Sequence, residues 1–311
     1  IGFSVPDSSM PRFSRDHFLL LLVAAIWGST FVAQRQAMAT MEPFAFNAAR
    51  FALAAVALLP LWWALERQRR GVSLKRWLRA SIVTGTLLFA GFAFQQIGLT
   101  ETTAANAAFI TASYIVFVPL LGWLRGVRPP AAFWPGLAAC VAGLYFLSVQ
   151  GNLEVHRGDL LELVGAIFWS AHVIALSHYG RHLPTVGFSA GQFAVAAVLS
   201  GLCTLLWEQP KLESLAHTWL PLLWAGVLSS AVAFTLQIQA LRTVRPMHAV
   251  LILSLESVFA ALAGALWLGE TMTPRQWLGA AILLAGILWA QTRERGREAA
   301  ELTRSEAHTP H

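Results

Sequence analysis

Thr102–Leu121 reads TTAANAAFITASYIVFVPLL, an apolar run of the length that crosses hydrocarbon, which takes ~20 residues. Two polar residues inside it set the fold. A step of about 142 residues carries Asn106 onto His248 and Tyr114 onto Glu256, the latter at the centre of Leu253-Ser254-Leu255-Glu256-Ser257-Val258-Phe259. The same step carries Gln95 onto Gln237, and Phe46 and Phe51 onto Phe188 and Phe193. One residue more carries Trp134, Gly136 and Gly143 onto Trp277, Gly279 and Gly286. The chain reads as a tandem duplication.

Outward from that stretch, ten apolar spans can be marked. They are His17–Met38, Phe44–Leu65, Leu78–Gly98, Thr103–Trp123, Ala132–Ser148, Gly158–His178, Val186–Leu206, Trp219–Ala240, Pro246–Trp267 and Pro274–Gln291. Charged residues make up 12% of the chain, against roughly 25% in soluble proteins, and the connections are too short to fold as domains. The expected architecture is an all-α integral membrane protein of ten transmembrane helices, built as two inverted five-helix repeats. An odd number of spans per copy forces the second copy upside down in the bilayer. Residues 1–16 are an N-terminal segment, 17–148 the first repeat, 158–291 the second, and 292–311 a polar tail expected to be disordered. Ile1–Ser9 reads as linker or upstream sequence, with Met10 the expected start.

The net charge of +6 is distributed by loop. With the N-terminus placed in the cytoplasm, one side collects Arg12, Arg15, Arg67, Arg69, Arg70, Lys75, Arg76, Arg79, Arg125, Arg128, Arg181, Arg242, Arg245, Arg293, Arg295, Arg297 and Arg304, whereas the other holds Arg157, Lys211 and Arg275. That asymmetry is the positive-inside rule, with both termini cytoplasmic. The basic charge therefore orients the chain against a lipid bilayer and marks no nucleic-acid site. Cys140 and Cys203 fall within spans and read as apolar packers, not a disulfide. Ala37-Met38-Ala39 resembles a signal cleavage site, but the first span has a counterpart in the second copy and is kept as a membrane helix.

The glycines seven apart in the fifth and tenth spans permit close backbone approach. Both spans read as peripheral, packing on their own half, with a second protomer as the other candidate neighbour. Gly122-x-x-x-Gly126 allows a homodimer and equally fits packing within one chain. Pro119 should free a carbonyl and kink the fourth span.

Glu256 carries the sharpest chemical signal. Burying a carboxylate at mid-membrane costs at least ~2.5–3.5 kcal/mol, so it should face a cavity or a partner. Two readings stay open: binding a substrate ammonium or a proton, and pairing helices as a hydrogen-bonded carboxyl. Repeat mates approach each other only near the midplane, so Tyr114 and Glu256 are expected to meet on the pseudo-twofold axis. Gln95 and Asn106 would then line an outer vestibule, and Gln237 and His248 an inner one. Trp27 and Trp169 lie mid-span and are candidate cavity walls, with His172 one helical turn beyond Trp169 on the same face. Arg35 and Arg50, near the outer ends of the first two spans, either snorkel to headgroups or offer a guanidinium fork to a carboxylate.

Ala24–Ala33, reading AAIWGSTFVA, and the Arg50-Phe51 pair resemble the first half of an EamA-type permease. Thr102–Leu121 is similar to that family's fourth helix. Leu255–Leu288, LESVFAALAGALWLGETMTPRQWLGAAILLAGIL, is similar to its ninth and tenth. The resemblance covers roughly Phe18–Gln291 and implies the drug/metabolite transporter superfamily, with ten helices in inverted five-helix repeats. It also implies secondary transport of small metabolites, among them amino acids, nucleotide sugars, phosphorylated sugars and drugs. The second copy departs from the pattern at Phe168-Trp169-Ser170, where the Trp-Gly pair of the first copy is missing.

The expected function is carriage of a small amphipathic metabolite, an amino acid or related compound, by alternating access and in the efflux direction. The candidate substrate-binding residues are Trp27, Arg50, Gln95, Asn106, Tyr114, Trp169, His172, Gln237, His248 and Glu256. No cofactor or metal is expected. The sequence holds no HExxH, no paired aspartates and no phosphate-binding loop, which argues against a membrane enzyme or a self-contained ATP-driven pump. A sensor or scaffold would more often carry a soluble domain.

Overall fold

The computed structural model describes residues 15–68, 72–102, 104–148, 156–269 and 271–307. Regular structure among them is helical. The first half comprises α1 (Arg15–Ala37), α2 (Pro43–Leu65), α3 (Leu74–Glu101), α4 (Ala104–Thr111), α5 (Tyr114–Leu124) and α6 (Phe133–Ser148). The second comprises α7 (Arg157–Gly180), α8 (Thr185–Trp207), α9 (Leu212–Leu223), a π-segment (Trp224–Phe234), α10 (Thr235–Ala240), α11 (Pro246–Leu253), α12 (Glu256–Leu268) and α13 (Pro274–Ala307).

Among the described residues eight helical stretches are long and apolar enough to cross a membrane, and Phe133–Leu147 is a shorter apolar helix. In hydrocarbon every backbone N–H and C=O must be satisfied within the chain, which leaves helices as the spanning form for such sequences. Trp63, Leu205, Leu206, Trp207 and Leu266 stand exposed on the outside. So apolar an exterior is covered by lipid, and the chain is a multi-pass membrane protein.

The two halves grip each other through reciprocal contacts. Glu66, just past α2, accepts hydrogen bonds from the Val186 and Gly187 N–H groups at the start of α8, at 3.2 and 2.8 Å. Its repeat mate Glu208, just past α8, accepts from Phe44 and Ala45 at the start of α2, at 2.8 and 2.7 Å. Each carboxylate satisfies two of the N–H groups that a helix start leaves unpaired, and its charge complements the positive end of the helix dipole. Because the end of each helix caps the start of the other, α2 and α8 run antiparallel. Phe51 and Phe193, themselves repeat mates, stack at 5.9 Å between them.

The glycine-bearing helices correct one expectation. α6 and α13 touch their own halves only lightly, through α4 and α11, and pack chiefly on each other. The place a Cβ would take on Gly136 lies 2.9 Å from the Gly286 carbonyl, and on Gly143 it lies 2.5 Å from the Leu283 N. Only bare backbone on both partners permits this approach, so the small-residue stripes are used across the halves.

Two further expectations are revised. The polar stretch beyond Gln291 was expected to be irregular, yet α13 is helical to Ala307. Its Arg, Glu, Ala and Leu content favours helix by intrinsic propensity. The fourth span does break, but about two turns ahead of Pro119, which lies inside α5. The break is a tightened turn at Ala112–Ser113, where Ser113 N–H and Ile115 N–H reach back three residues and the Ser113 hydroxyl donates to the Ile110 carbonyl at 2.6 Å. Hydroxyl competition for backbone carbonyls loosens a helix in this way. The second copy does the same at Ser254–Leu255, with the Ser254 hydroxyl on the Leu251 carbonyl at 2.7 Å. In both copies the next helix therefore starts on the paired residue, Tyr114 in α5 and Glu256 in α12.

Candidate functional site

Tyr114 and Glu256 meet: the phenol donates to a Glu256 carboxyl oxygen at 2.8 Å, with both side chains buried. They line a cavity between the halves, walled by side chains of both. Interrupted helices at mid-membrane are where carriers of this architecture place their binding groups.

The walls are aromatic and obey the same two-fold relation. Trp27 packs on Phe234 with ring centroids 4.7 Å apart, and its image pair Trp169 and Phe92 sits at 4.5 Å. The missing Trp-Gly pair in the second copy does not disturb this packing, because the rings, and not the glycine, make the contact. The tryptophan N–H groups do differ. That of Trp27 donates to the Ser229 carbonyl at 3.2 Å, whereas that of Trp169 is buried without a partner among the described residues.

Arg50 is the cavity's cation. It lies two turns into α2 and is fully buried, so the snorkelling reading is overturned. Its guanidinium donates to the Gln34 Oε1, to the Ser229 and Ser230 hydroxyls at 3.2–3.3 Å and to the Ala225 carbonyl at 3.3 Å. Its charge lies over the Phe92 ring at 4.2 Å. Every hydrogen-bond acceptor is neutral. Arg35, by contrast, donates to the Leu99 carbonyl near a span end.

The π-segment builds the other half of the Arg50 site. Gly85 and Gly226 make equivalent close contacts, against Gln192–Val195 and against Arg50–Leu53. Yet they stand one residue closer in the repeat than Phe92 and Phe234 do. The second copy thus carries one extra residue between Gly226 and Phe234, and the π geometry of Trp224–Phe234 absorbs it. Single-turn π-bulges cluster at functional sites for this reason: the wider turn frees carbonyls and redirects side chains. Here the Ser230 hydroxyl reaches back to the Ala225 carbonyl at 2.7 Å, and the Ser229 carbonyl is taken by Trp27.

Of the residues expected at the site, Trp27, Arg50, Gln95, Tyr114, Trp169, Gln237 and Glu256 line this one cavity. Gln95 and Gln237 share it and do not divide into outer and inner vestibules. His172 lies behind Trp169, its imidazole 2.9 Å from Gln192 Oε1, and does not reach the lining. His248 packs edge-on against Phe133 at 5.6 Å, and its carbonyl accepts from Gln291. The first turn of α11 carries it outside the lining. The side chain of Asn106 lies outside the described residues.

Sequence reasoning passed over Thr30, Phe31, Gln34, Phe92, Thr111, Val173, Ser229, Phe234 and Leu253, which also line the cavity. Gln34 stands two helical turns beyond Trp27 and so on its face, the signal that could have found it. A polar layer lies behind the wall: Gln95 donates to the Thr111 hydroxyl at 2.9 Å, which donates to the buried Glu162 at 3.2 Å. Among the described residues no cluster of His, Cys, Asp or Glu could hold a metal ion.

Comparison with known proteins agrees with this geometry. The model of the EamA-like transporter family matches the chain twice, over residues 15–149 and 156–291. An uncharacterized transporter of Archaeoglobus fulgidus is 34% identical over 284 residues, covering 88% of this chain and 85% of that protein. The uncharacterized inner membrane transporter YedA of Escherichia coli is 25% identical, covering 86% of this chain and 88% of YedA. A solved crystal structure superposes with a TM-score of 0.73 at 21% identity, over 91% of this chain and 98% of the other, a likeness of fold alone. With both copies matched and the two-fold contacts in place, the chain belongs to the EamA-like transporter family.

Proposed function

We propose that this protein is a secondary carrier of small zwitterionic metabolites, with free amino acids the leading cargo, exported across a bacterial inner membrane. Ten helices, five per inverted repeat, would place both termini in the cytoplasm, as the loop charges favour. The observation that carries the reading is a buried guanidinium and a buried carboxyl that share one cavity without pairing. Arg50 and Glu256 both line it, yet the ion pair among the described residues is Arg157–Glu101, at the surface. A buried guanidinium held only by neutral acceptors leaves its charge uncompensated, which is costly unless a ligand anion completes it. A ligand carboxylate on Arg50 and an ammonium against Glu256 would supply both missing charges, with an apolar side chain between the tryptophans.

Alternating access follows from the two-fold relation: rocking one half against the other would exchange the hollow side of the axis for its image. A nucleotide sugar is the weaker alternative, since its phosphates would meet a single guanidinium. A drug-type cation is weaker too, because it would leave Arg50 unsatisfied.

Counterflow in liposomes loaded with a panel of amino acids, amines, nucleosides and dyes tests the proposal. Exchange of at least one amino acid, with its decarboxylated amine analogue failing to compete, supports it. Exchange of amines or dyes with no amino acid active would end it.

A further inference from the structure

Away from the central cavity, α7 forms the floor of a second feature, with α3 and α5 as its walls. Two hollows of about 780 and 1060 Å³ adjoin there and share Arg79, His178 and Tyr179. The first is basic, with Lys75, Arg76 and Arg79 at its rim. The second is an apolar slot between Val83 and Leu87 on one wall and Leu121 and Leu124 on the other, floored by Ala171 and Ala175. Ile174 completes the apolar floor beside the two alanines. From Arg79 to Leu87 the slot follows α3 for roughly 12 Å at 1.5 Å per residue. That is most of one leaflet's share, about 15 Å, of a ~30 Å hydrocarbon core.

We infer that this groove is a binding site for an anionic phospholipid, its phosphate seated among Lys75, Arg76 and Arg79 and one acyl chain lying in the slot along α7. Charge complementarity argues for that occupant. Among the described residues none of these three cations, nor Arg125 at the far rim, pairs with a carboxylate. The nearby Glu66 is committed to the α8 N-terminus. The charges are not inherited from the duplication either. In the second copy Lys75, Arg76 and Arg79 are replaced by Ala216, His217 and Leu220, and Arg125 by Trp267. The positive-inside tendency accounts for which face is basic. It does not account for an apolar slot opening from the cationic cluster, which is the shape of a headgroup joined to a chain. Basic pockets between membrane helices recognise anionic headgroups in this way. The site is independent of the cargo reading and stands or falls without it.

Native mass spectrometry of the purified, delipidated full chain, titrated with phosphatidylglycerol and with phosphatidylcholine of the same chains, tests the site. Phosphatidylglycerol should bind the more tightly. Arg79→Gln should cost about fivefold in its affinity, and Arg76→Gln with Arg79→Gln about 25-fold, as expected from ~1 kcal/mol per basic residue, with a smaller loss for phosphatidylcholine, whose choline cancels the phosphate's charge. Ala175→Leu fills the slot and should weaken both lipids. Arg128→Gln removes a cation from the same face but outside the groove and should change neither. Equal binding of the two lipids would overturn the inference, as would an effect of Arg128→Gln equal to that of Arg79→Gln. Melting temperatures of all variants establish folding, and the single Arg79→Gln change at an exposed position carries the test if the double variant does not fold.

Discussion

The cavity and its two-fold image share a scaffold and differ in chemistry. Six repeat-mate pairs line the cavity together: Trp27 with Trp169, Phe31 with Val173, Phe92 with Phe234, Gln95 with Gln237, Thr111 with Leu253, and Tyr114 with Glu256. Four lining residues have no mate in it. Thr30, Gln34, Arg50 and Ser229 are all polar, and all extend the hollow toward the side where α1 ends and α2 begins. Their counterparts His172, Leu176 and Gln192, and the Leu87–Leu88 pair, lie outside it. Duplication therefore laid down the helix paths and the aromatic walls, whereas four substitutions and one inserted residue made one side of the cavity polar and cationic.

Making the two sides alike is the strongest way to break this comparison. Arg50→Gln places at position 50 the residue its mate already has. If Arg50 holds a ligand carboxylate, affinity for amino acids should fall about 100-fold, since a charge-assisted hydrogen bond contributes roughly 1.5–3 kcal/mol. Ligand-dependent melting shifts measure this directly. An unchanged shift would move the carboxylate site elsewhere. Arg50→Lys should retain part of the affinity, because a single ammonium keeps the charge without the two-pronged geometry.

The inserted residue comes next. Deleting Val227 restores the spacing from Gly226 to Phe234 to that of the first copy and should return Trp224–Phe234 to an α-helix. The Ser230–Ala225 and Trp27–Ser229 hydrogen bonds would then be lost, for about 2 kcal/mol at roughly 1 kcal/mol each. Ligand binding should weaken with them while the protein stays folded. If binding and stability were both unaffected, the π-segment would be a passive trace of the insertion.

The crossed caps should show the opposite behaviour, namely equality. Glu66→Ala and Glu208→Ala each strip a carboxylate from the start of the other half's helix, at a cost of about 1–2 kcal/mol. Their repeat symmetry predicts similar losses in thermal melts, and their location at opposite ends of the α2–α8 pair predicts that the double variant is additive within ~0.5 kcal/mol. A large inequality would mean that one of the two junctions is held by something else.

How far this could be foreseen depends on which signals survive in one sequence. The meeting of Tyr114 and Glu256 was legible because a two-fold relation plus a mid-span position dictates it without any knowledge of packing. The aromatic walls were half legible, since Trp27 and Trp169 were recognised but Phe92 and Phe234 looked like any other apolar residue of a membrane helix. Arg50 was found for its type but its direction stayed open, because a guanidinium near a span end looks the same whether it reaches the headgroups or turns inward to Gln34. The α6–α13 pairing was misassigned because glycine spacing reports close approach and not the partner. The π-segment was hidden: a one-residue slip in the repeat register is visible only once Gly85 and Gly226 are seen in equivalent contacts.

The finest test concerns the tryptophans, which share a packing geometry and differ by one hydrogen bond. Trp27→Phe and Trp169→Phe remove similar ring area from similar places, against Phe234 and against Phe92. The transfer and cavity costs of the two changes should therefore nearly cancel when the variants are compared with each other. What remains is the indole N–H. Trp27 gives its own to the Ser229 carbonyl, and Trp27→Phe removes that hydrogen bond beside the cavity. Trp169 loses an N–H that has no acceptor among the described residues, which relieves a buried unsatisfied donor. Trp27→Phe should thus be the more destabilising by about 1 kcal/mol, read as the difference between two melting curves. An equal loss would place an acceptor, or a water, on the Trp169 indole and restore to the two sides a symmetry that their hydrogen bonds at present lack.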